Sequence, residues 1–89
     1  MPKIIFGRKE EFEKWLRDIT SKKPYSLYAD ATNLRIVAVP TVSTEPIIYG
    51  VYEGDRITEV DELAEKLSTQ LNLPLYKVKE LEFADFKTR

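Results

Sequence analysis

The sequence predicts an α+β fold, a four- or five-stranded antiparallel-dominated sheet with two helices packed on one face. Three observations lead there. Residues 8–22 and 58–71 place their apolar side chains at the 3.6-residue period of amphipathic helices. Short apolar stretches bounded by Gly, Pro, Asn and Asp read as strands. Their order, strand, helix, three strands, helix, strand, groups the strands instead of alternating every strand with a helix.

The elements follow in chain order. Residues 3–6, Lys-Ile-Ile-Phe, form a first strand ended by Gly7. In the first helix, Phe12, Trp15, Leu16 and Ile19 share one stripe, so Trp15 is expected in the core. The opposite side holds Glu10–Lys14, Glu13–Arg17 and Lys14–Asp18 at i,i+4 spacing, and Pro24 stops the helix. Residues 25–30 and 33–39 read as a hairpin with Ala31-Thr32 as a two-residue loop. That loop sets Asp30 against Asn33, Tyr28 against Arg35, Leu27 against Ile36 and Tyr25 against Ala38. One face then carries Tyr25, Leu27, Ala29, Leu34, Ile36 and Ala38, and the other Ser26, Tyr28, Asp30, Arg35, Val37 and Val39.

Pro40 and Pro46 bracket a hydroxyl-rich loop at 41–45. Residues 47–53 form the next strand, turning at Gly54-Asp55 in type II′ geometry and returning through Arg56-Ile57. Thr58 is the expected N-cap of the second helix, whose stripe is Val60, Leu63, Ala64, Leu67 and Leu71. Asn72-Leu73-Pro74 closes it, and residues 75–83 read as a last strand, with a helical turn through Leu75, Val78 and Leu81 as the alternative.

Composition then restricts the chemistry. A hydrophobic fraction of 43% and a charged fraction of 33% suit one folded domain spanning residues 1–89, with a modest core. The opening apolar run is short and followed at once by charges, unlike a signal peptide or a membrane span, so a cytoplasmic location is expected. The chain has no His and no Cys, which removes the commonest general base, the thiol nucleophile and the usual zinc ligands. The three glycines are isolated, so no phosphate-cradling loop is present. No catalytic residue, metal or cofactor is therefore assigned, and the chain reads as a non-enzyme. A carboxylate-dependent, Mg²⁺-using enzyme is the remote alternative. Its acidic clusters would be Asp61/Glu62/Glu65 and Glu80/Glu82/Asp85. The first suits a helix N-terminus, and the second a solvated edge.

The net charge of −1 gives no overall attraction to nucleic acid, although residues 1–23 carry seven basic side chains against four acidic. Acids interleave those cations, so a salt-bridged surface helix explains them without a ligand. Residues 59–81 lack the tight turn of a helix-turn-helix, and Tyr49-Gly50-Val51-Tyr52 lacks the basic-Gly start of RNA-recognition sheets. Few Asn, Gln, Met and Cys beside abundant Glu and Lys is the composition of a thermophile, archaea included.

One mismatch points to function. Residues 34–39 and 47–52 are apolar at nearly every position, as in strands covered on both faces, yet two helices cover only one face. The remaining face would offer Tyr28, Arg35, Val37, Val39 and Tyr49 as a binding surface, residue types that interface cores favour. The expected partner is a protein, or a second copy in a homodimer. The chain would then be an accessory subunit of a larger assembly, with replication, transcription or RNA machinery as one setting. Single-stranded nucleic acid is the alternative ligand, its bases stacking on Tyr and its phosphates meeting Arg35 and the N-terminal lysines.

Overall fold

The computed structural model describes residues 3–41 and 48–80. Its elements are β1 (Lys3–Phe6), α1 (Lys9–Thr20), β2 (Tyr25–Asp30), β3 (Arg35–Pro40), β4 (Tyr49–Glu53), α2 (Ile57–Leu71) and β5 (Leu75–Val78). The five strands lie in the order β1-β4-β3-β2-β5. The α+β fold with both helices on one face is as the sequence predicts. The sheet itself is mixed: β2–β3 and β3–β4 pair antiparallel, whereas β1–β4 and β2–β5 pair parallel.

Connectivity accounts for that mixture. A strand that reaches the next one through a helix returns in the same direction. Helix α1 links β1 to β2, and α2 links β4 to β5, so only β3 runs against the other four. Both crossovers step three positions across the sheet in the same sense. A common handedness therefore sets both helices on one face.

Beneath the helices lies the larger core. Phe12 and Leu16 of α1 and Val60, Leu63, Ala64 and Leu67 of α2 pack on Tyr25, Leu27, Ala29, Ile36, Ala38 and Tyr52. Trp15 joins this cluster partly buried, with ring centroids 5.6 Å from Phe6, 6.2 Å from Phe12 and 5.8 Å from Tyr25. Gly50 makes room for it, since a Cβ there would collide with the indole ring.

The hairpin departs from the expected register. Asp30 pairs with Arg35, Tyr28 with Val37 and Leu27 with Ala38, leaving a four-residue loop, Ala31 to Leu34. The Asp30 carboxylate accepts hydrogen bonds from the Asn33 backbone N–H (3.0 Å) and side-chain amide (2.9 Å), which builds an Asx turn the two-residue loop could not hold. Leu34 takes the left-handed conformation, φ 52°, and its carbonyl accepts the Gly54 N–H at 2.8 Å. The shift is two residues, the side-chain period of a strand, so every residue still faces as expected.

Three further expectations are corrected. Gly54 does not have the positive φ of a type II′ turn, and the chain passes into α2 without a returning strand. Helix α2 starts at Ile57 behind an N-cap at Arg56 that makes no side-chain cap bond, so Thr58 lies inside the first turn. At its end Asn72 is left-handed (φ 55°), and Ser68 Oγ donates to the Leu73 carbonyl at 2.6 Å. The last strand is shorter than expected, ending at Val78. The hydroxyl-rich stretch 42–45, Pro46, the start of the 47–53 strand at Ile47, and the 81–83 part of the last strand lie outside the described residues.

Candidate functional site

The face turned away from the helices is built from β1 to β5 by strand alternation. Its central row runs Tyr76, Tyr28, Val37, Val51, Ile5 across all five strands. A second row places Val39 beside Ser26, and a third places Asp30 beside Arg35 and Val78. All five residues expected to bind, Tyr28, Arg35, Val37, Val39 and Tyr49, belong to this face, on β2, β3 and β4.

Their exposure is not what the sequence led us to expect. Val37 is 0% exposed, Tyr49 3% and Val39 6%, and with Val51 they form a second apolar cluster flanked by Tyr28 and Val78. The centre of the face is thus closed to solvent, and the expected open surface is corrected. The alternation assigned the facing, whereas burial depends on what lies over the sheet, which a strand pattern does not encode. Burial also raises the pKa of the Tyr49 hydroxyl, as it does for Tyr25.

Arg35 is likewise not presented to a phosphate. Its Nε lies 3.0 Å from the Asp30 carboxylate, which is fully buried. The Asn33 donors add two further hydrogen bonds to that carboxylate, as a buried charge requires. Tyr28 stacks on Tyr76, with ring centroids 5.1 Å apart and planes 28° from parallel.

The exposed apolar residues lie at the margins of the sheet. Ile4 is 40% and Ile5 54% exposed on β1, and Tyr76 is 49% exposed on β5. Sequence reasoning missed all three. A four-residue strand shows no clear alternation, and edge position follows from long-range pairing that local pattern does not report. The useful signal was the apolar pair Ile4-Ile5 with no polar residue between them.

Other parts of the surface offer less. A shallow groove of about 580 Å³ along α1 is lined by Glu11, Lys14, Trp15, Arg17, Asp18 and Ser21, all from one helix or its C-cap, so among the described residues it has no second wall. Glu65 pairs with Lys77 at 3.1 Å, and Glu13 with Lys66 at 2.9 Å. No group of three or more metal-ligating side chains assembles among the described residues. The cluster at 80, 82 and 85 lies mostly outside them. No helix among them is long and apolar enough to cross a membrane. No family model, curated protein or solved structure matches this chain.

Proposed function

We propose that this chain is a non-enzymatic binding module, a small cytoplasmic accessory subunit that holds a protein partner, or a second copy, against its sheet. One observation carries the reading. Of the four large apolar side chains most exposed among the described residues, three (Ile4, Ile5 and Tyr76) sit on the two edge strands. Ile4 and Ile5 sit together on β1, and apolar residues so gathered, instead of scattered singly, mark interaction surfaces. The fourth, Ile57, opens α2 and serves as an internal control.

The test compares capture and self-association by Ile5→Lys, Tyr76→Ser and Ile57→Lys. Sedimentation reads the self-associated state, and tagged protein in extract of the source organism reads partner capture. The edge variants should lose the association that wild type shows, while Ile57→Lys keeps it. Equal behaviour of all three removes the sheet edges from the interface.

A second reading, binding of single-stranded nucleic acid, draws on the half-exposed Tyr28–Tyr76 stack, a geometry on which bases can stack. Nearby cations weaken it, because Arg35 is held by Asp30 and Lys77 by Glu65. Filter binding to single-stranded DNA and RNA at two salt concentrations separates the two readings. Affinity that collapses with salt would move nucleic acid to the front.

A further inference from the structure

We draw no further inference here: the strongest candidate, the exposed apolar pair Ile4 and Ile5 at the margin of the sheet, belongs to the surface already described, and nothing among the described residues shows what covers it.

Discussion

Trp15 and Gly50 show how a single residue sets the packing under the helices. The indole occupies the space above Gly50, and Phe6, Phe12 and Tyr25 surround it. Gly50→Ala should therefore force the ring aside and cost about 1–3 kcal/mol, the usual range for overpacking, read by chemical denaturation. Trp15 emission in that variant should shift to the red. Tyr52 makes a pH-dependent contribution. Burial first, and then the hydrogen bond and charge of Glu59 (3.1 Å), push its hydroxyl up to about 12. An unfolded tyrosine titrates near 10, so above that pH the unfolded chain binds fewer protons than the folded one, and stability falls as pH rises. Its contribution is complete below pH about 10 and is lost as the pH rises to about 12. Denaturation at pH 9 and pH 12 should show a smaller loss for Tyr52→Phe than for wild type. Val37 reverses an expectation. As part of an open face, Tyr28→Ser with Val37→Thr would cost under about 1 kcal/mol. With Val37 fully buried, Val37→Thr alone should cost about 1–2 kcal/mol, because its hydroxyl enters an apolar cluster.

At the scale of elements, what was legible depended on how local the determinant is. Both helices and all five strands follow from periodicity and breakers, and the hairpin's facing survived a two-residue error in its loop. The error arose because the Asx turn is built by Asp30 and Asn33 together, with Leu34 in a left-handed conformation its side chain does not advertise. Leu34 holds that conformation because it packs against the helix-side core and its carbonyl binds Gly54. The start of α2 was misplaced for a related reason: Arg56 caps it through backbone geometry alone, leaving no side-chain signature. Thr58→Ala should accordingly cost less than about 0.5 kcal/mol by thermal or chemical denaturation. The end of the same helix offers the contrast. Asn72 is left-handed, so Asn72→Gly should be neutral or stabilising, whereas Asn72→Val should cost about 1–2 kcal/mol.

For the whole molecule, sheet order was the least legible property. Placing β1 beside β4 and β5 beside β2 brings together residues 46 or more positions apart, and no local pattern reports that. The face expected to bind was legible as one face, with Tyr28, Arg35, Val37, Val39 and Tyr49 all on it, but its centre is closed and its exposed apolar residues lie at the margins. The proposed binding surface would therefore lie at the sheet margins, at Ile4, Ile5 and Tyr76. The most direct measurement places a photo-crosslinking benzophenone side chain at position 5, and separately at position 57, in the source cells, with adducts identified by mass spectrometry. The account predicts one discrete protein adduct from position 5, to a partner or to a second copy, and none from position 57. Adducts from position 57 alone, or none from position 5 while the protein is folded and expressed, would contradict it.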